Sequence, residues 1–307
     1  MVSSFGSFGS ESSQNSTDLQ NSTDLQIVQK VVADLSNASK ILVQLNRSSL
    51  HISAKHYGLE QSIDVMPGLI ALSKRSTTPE EKKNKILGSG AYSIVKKAHT
   101  PERQPLARRI CKIKPSDQVS YKESKKMIET LQKLKGLPGV IDLLGACEYE
   151  KPDQTKVVVT YYPRYEANLF TILFRQTKRT LKEGQKLDLA NQLLTALENL
   201  PGAHGDVKPE NILIDLNKNK LVLIDFQFYR SYEETEAHRK GSTWWCAPEC
   251  FLDQLETITE KLDVWPAGLV LYYLFLGSLP GEFPWQKVPK NSLYEYLKKN
   301  GYSQFFK

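Results

Sequence analysis

The sequence predicts an α+β fold in two parts, strand-rich first and helix-rich second, preceded by a helical extension. Three observations carry this. Short runs with strand character crowd the first part, at 85–87, 94–98, 106–113, 140–144 and 156–162. Apolar residues then recur at helical spacing over 169–175, 187–200 and 264–276. Upstream, Leu25, Val28, Val31, Val32, Leu35, Ile41, Leu42 and Leu45 keep the same period, which predicts one or two amphipathic helices between about 24 and 47.

In chain order, residues 1–26 are rich in Ser, Asn, Gln and Gly and repeat the hexamer 15–20 as 21–26. Such a stretch buries too little apolar area to offset its ordering entropy and is expected to be a disordered leader. Residues 27–80 form the helical extension and linker. The extension includes a second apolar segment from Ile63 to Leu72, interrupted by Pro67-Gly68, and closes on Ser76-Thr77-Thr78-Pro79-Glu80, a linker with a helix-start signal. It is expected to pack on the domain that follows, with binding of a partner or chaperone as the alternative. The main domain covers 81–307, its first part about 81–162 and its second about 163–307. One helix, near 119–134, interrupts the strands.

Composition narrows the function classes. The net charge of +7 comes from scattered lysines, and no arginine-rich groove alternates with stacking aromatics, so a nucleic-acid site is not expected. Cys111, Cys147, Cys246 and Cys250 make no C-x-x-C pair and have no histidine at zinc-ligand spacing, which points to free thiols in a reducing compartment. Residues 1–26 lack a basic and apolar signal-peptide pattern, and the longest apolar run, 267–276, is too short to span a bilayer. A cytoplasmic protein without stable membrane insertion is expected.

The most informative segment is His204-Gly205-Asp206-Val207-Lys208-Pro209-Glu210-Asn211, followed by an apolar run. It resembles the catalytic loop of eukaryotic-type protein kinases, and the resemblance extends over roughly 83 to 307. It implies a bilobal protein-kinase-like fold with a strand-rich N-lobe and a helical C-lobe. It also implies Asp206 as the base for an attacking hydroxyl, Lys208 on the transferring phosphoryl group and Asn211 on a metal ion.

Other motifs follow in family order. Leu87-Gly88-Ser89-Gly90-Ala91-Tyr92-Ser93-Ile94-Val95 resembles the glycine-rich ATP loop, with Ser93 where a third glycine is usual; Leu87, Gly88, Gly90 and Val95 are its ATP-binding candidates. Leu106-Ala107-Arg108-Arg109 stands where the family has V-A-I-K, which puts Ala107 against adenine and Arg109 in the place of the phosphate-anchoring lysine. Arginine keeps the charge but is bulkier and forked. Lys112 is near, yet three residues along a strand it faces the other side and needs a bulge to serve. Met127 falls where the lysine's partner glutamate is usual, so Glu123, one turn earlier, is the candidate partner of Arg109, against the alternative of a solvated residue. Asp225-Phe226-Gln227 replaces D-F-G and keeps Asp225 as a metal ligand, while Gln227 lacks glycine's freedom.

Gly205 takes the place of the arginine that commonly meets a phosphorylated activation-loop residue, which implies regulation without that phosphorylation. Segments 241–249 and 263–268 resemble the A-P-E end of an activation segment and the helix start that anchors the catalytic loop. Lys208 and Ser242 resemble the serine/threonine class. The chain stops where two further helices are usual, and no arginine matches the family's partner for Glu249; the lower lobe is then less stable, completed by another chain, or finished by the extension.

The reading is a serine/threonine-type kinase using ATP and Mg²⁺ on a protein substrate. One alternative is a pseudokinase acting as a nucleotide-binding or interaction module. Another is a nucleotidyl or small-molecule transferase on the same fold. The Ser/Asn-rich start also resembles the uncleaved leaders of bacterial effectors exported by needle-type secretion systems, which implies delivery into a host cell; a plain disordered tail is the alternative.

Overall fold

Strand Pro105–Ile113 shows how the first half is built. Leu106, Arg108 and Ile110 are buried on one face, while Cys111 and Ile113 are buried on the other. A strand covered on both sides becomes the centre of a sheet. The computed structural model describes residues 49–52, 61–66, 69–74, 78–80, 85–90, 93–174, 181–234, 241–242, 245, 261–276 and 299.

The N-lobe strands are β1 (Leu50–Ile52), β2 (Gln61–Met66), β3 (Leu69–Lys74), β4 (Ile86–Ser89), β5 (Ser93–His99), β6 (Pro105–Ile113), β7 (Gly145–Glu150) and β8 (Lys156–Pro163). Their order is β1-β2-β3-β5-β6-β8-β7, antiparallel throughout, with β4 also paired to β5. The sheet curls until its ends meet. His51 of β1 stacks on Tyr149 of β7 with ring centroids 3.9 Å apart. A Cβ on Gly145 of β7 would lie 2.8 Å from Met66 Sδ of β2. Met66, Ala71, Ala98, Leu106, Ile110, Val157, Val159 and Tyr161 fill the inside.

Helix α1 (Gln118–Lys133) covers the outer face through Ile128, which packs with Cys111, Ile113 and Val158. Asp117 caps it by accepting Ser120 N–H at 3.0 Å.

The C-lobe contains β9 (Ala167–Asn168), α2 (Leu169–Phe174), α3 (Glu183–Glu198), β10 (Gly202–Ala203), β11 (Ile212–Asp215), β12 (Lys220–Leu223), β13 (Arg230–Ser231) and α4 (Lys261–Leu276). Leu189 and Leu193 of α3, Ile212 and Ile214 of β11, Leu223 of β12, and Val270 and Leu274 of α4 share one core. Met127 and Leu131 of α1 enter the same core and join the lobes. The architecture is α+β and bilobal. Among the described residues, no helix is long and apolar enough to cross a membrane.

Two expectations are corrected. The helical extension of 27–80 is strand wherever its regular structure is described between Leu50 and Lys74. The register pairs Met66 with Leu69 and so on to Gln61 with Lys74, and two such six-residue runs pair with each other rather than continue a helix. The strand expected at 140–144 begins instead at Gly145. Val140 and Ile141 are drawn to the C-lobe core, where Ile141 N–H donates to the Leu223 carbonyl at 3.1 Å. The leader, the helices expected at 24–47, Ala247-Pro248-Glu249 and the end of the chain from 277 on, apart from residue 299, lie outside the described residues.

Candidate functional site

The loop after β10 is held from below by α4. Asp263, in the first turn of α4, accepts His204 N–H at 2.5 Å and Gly205 N–H at 3.0 Å. Burial raises the Asp263 carboxyl above its ordinary pKa, opposed by these two N–H groups. His204 Nδ1 accepts Asp206 N–H at 3.2 Å and Nε2 lies 3.0 Å from the Ile224 carbonyl, which places the ring proton on Nε2. Gly205 has φ +78°, and a Cβ there would come within 2.8 Å of the Phe228 carbonyl oxygen. Glycine suits the position on both counts.

Asp206 is 5% exposed, and its carboxylate is fully engaged. Oδ2 accepts Lys208 Nζ at 2.6 Å and Asn211 Nδ2 at 2.9 Å, and Oδ1 accepts Ser242 N–H at 2.8 Å. Lys208 Nζ also donates to Ser242 Oγ at 2.6 Å. Ser242 reaches this far because Gly241 runs against the loop, where a Cβ would lie 2.5 Å from the Gly205 carbonyl oxygen.

Asn211 ends the turn Pro209–Asn211, and Asp225 follows β12. The β11–β12 hairpin sets them side by side, since Ile212 pairs with Leu223 and Ile224 N–H donates to the Asn211 carbonyl at 2.9 Å. Asp225 adopts a left-handed backbone, φ 64° and ψ 62°, which Asp tolerates better than most residues. Its Oδ1 is buried without a hydrogen-bond partner. A buried carboxylate oxygen with nothing to accept fits a hard cation. The Asn211 amide nitrogen is turned to Asp206, which leaves its oxygen as a second hard donor. Two such oxygens beside phosphates match how Mg²⁺ is usually held.

Leu87 and Gly88 lie in β4, and Gly90 N–H closes the hairpin onto the Ser93 carbonyl at 2.8 Å. A Cβ on Gly88 would meet nothing within 4 Å, and one on Gly90 only Ser93 at 3.7 Å or more. This open cradle fits a phosphate chain passing close to the backbone. Val95 pairs with both Gly88 and Arg109, and Ala107 shares the Arg109 face of β6. Arg109 Nη1 lies 3.7 Å from Met127 Sδ on α1, so a thioether stands at the contact where the family has an ion pair. Glu123 lines the same small cavity between β6 and α1, together with Cys111 and Gln227. Burial works against the Arg109 charge, but Cys111, Tyr162 and Asp225 outweigh it and hold the guanidinium pKa above its ordinary value. The β6–β8 register runs without a bulge, so Lys112 does not take the anchoring position. Gln227 sits in the turn Phe226–Phe228 without positive φ, and this conformation does not demand glycine.

Beyond the DFQ turn, Glu234 meets Lys126 of α1 at 3.0 Å and Arg230 at 3.6 Å. The Lys126–Glu234 pair is open to solvent, with Lys126 46% and Glu234 36% exposed, while Arg230 is largely covered. Glu234→Gln is expected to cost about 0.5 kcal/mol or less in urea unfolding, further reduced by salt. A loss several times larger would mean that the strut organises the segment.

The protein kinase domain family matches residues 81–301. This chain belongs to that family. It is 27% identical to human serine/threonine-protein kinase D2 over 244 residues, 76% of this chain and 26% of that protein. It is 30% identical to mouse serine/threonine-protein kinase SIK1 over 206 residues, 65% of this chain and 25% of that protein. With calcium-dependent protein kinase 27 of Arabidopsis thaliana it shares 24% over 221 residues, 69% of this chain and 44% of that protein. The chain therefore spans less than half the length of these kinases. One constellation of this kinase-family chain joins two residues ahead of the match to two within it and has no local sequence signal: Asp64 and His51 with Arg108 and Tyr161.

Proposed function

We propose that this protein-kinase-family chain transfers the γ-phosphoryl group of ATP to serine or threonine hydroxyls of a protein substrate, with Mg²⁺ bound. The carrying observation is the engaged carboxylate of Asp206, bonded to Lys208, Asn211 and Ser242. Asp206 accepts the proton of the attacking hydroxyl. Lys208, beside it, meets the charge on the transferring group. Gly88, Gly90 and Arg109 hold the phosphates from above, with Leu87, Val95 and Ala107 around the base. Asn211 and Asp225 are the residues that would hold Mg²⁺, which supplies charge neutralisation between the phosphates. Ser242 places the end of the activation segment against the base, in keeping with a hydroxyl acceptor presented there.

The test is transfer from γ-labelled ATP by the full chain, to itself and to a generic basic protein, beside Asp206→Ala and Asp225→Ala. Signal lost in both variants supports the reading. A signal that survives both, or label arriving from α-labelled ATP instead, overturns it.

The Arg109–Met127 contact favours a second reading, a pseudokinase that binds nucleotide without transfer. The two readings part on one result. Mg·ATP binding that is weakened by Arg109→Met, with no transfer in the parent chain at any metal concentration, selects the pseudokinase.

A further inference from the structure

We infer that the β2–β3 hairpin belongs to the phosphate-anchoring apparatus, with Asp64 as a positioning residue that sets Arg109 through Arg108. This rests on the proposed role of Arg109 toward the phosphates. Arg108 and Arg109 are neighbours on β6 and so point to opposite faces. Arg109 faces α1 and Asp225. Arg108 points into the closed side of the sheet, where it is 9% exposed. There its Nη2 lies 3.2 Å from Asp64 Oδ2, and its guanidinium sits 6.0 Å from the Tyr161 ring centroid. Asp64 is 1% exposed. It also accepts the Tyr161 hydroxyl on Oδ2 and meets His51 Nδ1 through Oδ1.

The carboxylate thus ties β1, β2, β6 and β8 at one point inside the sheet. Although burial raises its pKa, His51, Arg108 and Tyr161 together hold it below the ordinary carboxylate value. A guanidinium deprived of its carboxylate in such a core must drag its strand toward water. Any shift of β6 carries Arg109 with it, because Arg109 is locked between Val95 and Thr160 in the same ladders. Asp64 lies ahead of the residues that match the kinase family. In this chain the anchoring strand is therefore held partly by a segment outside the matched region.

The test uses the full chain with Asp64→Ala, Arg108→Met and the pair Asp64→Leu with Arg108→Met. Titration calorimetry reads Mg·ATP and adenosine, and hydrogen exchange reads Pro105–Ile113. Asp64→Ala is expected to weaken Mg·ATP about tenfold while adenosine, which has no phosphates, stays within about twofold. Exchange across Pro105–Ile113 is expected to quicken. The apolar pair is expected to return Mg·ATP binding to within about threefold of the parent, since it removes both charges together. If Asp64→Ala does not fold, Asp64→Asn, which keeps the shape and loses the charge, is read in the same way. Equal weakening of ATP and adenosine, or unchanged ATP binding, overturns the inference. A parent that binds Mg·ATP but transfers nothing sinks the kinase reading and leaves this one standing. A parent that binds no nucleotide overturns both readings, because Arg109 then anchors no phosphate.

Discussion

Asp206→Asn is expected to lower the rate of phosphotransfer by about 10²–10⁴-fold, the usual contribution of a positioned general base. The substitution keeps the size of the side chain and removes its basicity. It also upsets a full set of bonds. The carboxylate accepts from Lys208, Asn211 and Ser242, whereas an amide must turn its own N–H groups toward at least one of those donors. The end of the activation segment should therefore loosen locally, while nucleotide affinity changes little because Asp206 is not among the residues proposed to grip ATP. Initial rates with γ-labelled ATP, set beside calorimetric Mg·ATP titration, separate these effects. A variant that transfers at the parental rate would show that Asp206 is not the base. One that loses both rate and affinity in equal measure would show that the loop has collapsed.

The catalytic loop is legible in sequence because its chemistry is local. Asp206, Lys208 and Asn211 meet through one short stretch of backbone, so their spacing is a direct record of the geometry. Asp225 is legible for a related reason: the intervening segment is a hairpin, whose register alone brings Asp225 next to Asn211. Counting along α1 also finds Met127, because a helix converts sequence offset into facing direction. The meaning of Gly205 is only half visible. The missing arginine can be read from the motif, but the reason a glycine fits is the Phe228 carbonyl, contributed from beyond Asp225.

The N-terminal extension was not legible. Between Ile63 and Leu72 the apolar residues suit a helix or two short strands, and a Pro-Gly pair can interrupt the one or join the other. What decides is the free edge of β5, which pairs with β3, and the closing contact of β1 and β2 with β7. Those partners are far away in sequence. The same is true of Asp64, an ordinary acidic residue until Arg108, His51 and Tyr161 are folded around it. Val140 and Ile141 mislead in a different way. They are apolar enough for a strand, yet their burial comes from the C-lobe rather than from the sheet.

Asp263→Ala is expected to destabilise the chain by about 2–4 kcal/mol, because it leaves two N–H donors, the buried one of His204 and the part-buried one of Gly205, without their acceptor. The loss falls short of the sum of two hydrogen bonds, since the substitution also removes a carboxylate whose burial is itself unfavourable. Asp263→Asn keeps one acceptor and should lose about half as much. Val264 is next in sequence but 62% exposed, and Val264→Ala is the matched control, with an expected change within about 0.5 kcal/mol. Urea unfolding of the three variants measures the order. The same contacts also orient the base, through the bond from Asp206 N–H to His204 Nδ1. Phosphotransfer per folded molecule should therefore fall in Asp263→Ala and stay unchanged in Val264→Ala. If Asp263→Ala unfolds and reacts like the control, the catalytic loop is held by the DFQ turn rather than by α4. The tilted contact of Phe226 with His204, ring centroids 4.7 Å apart, would then be the next contact to remove.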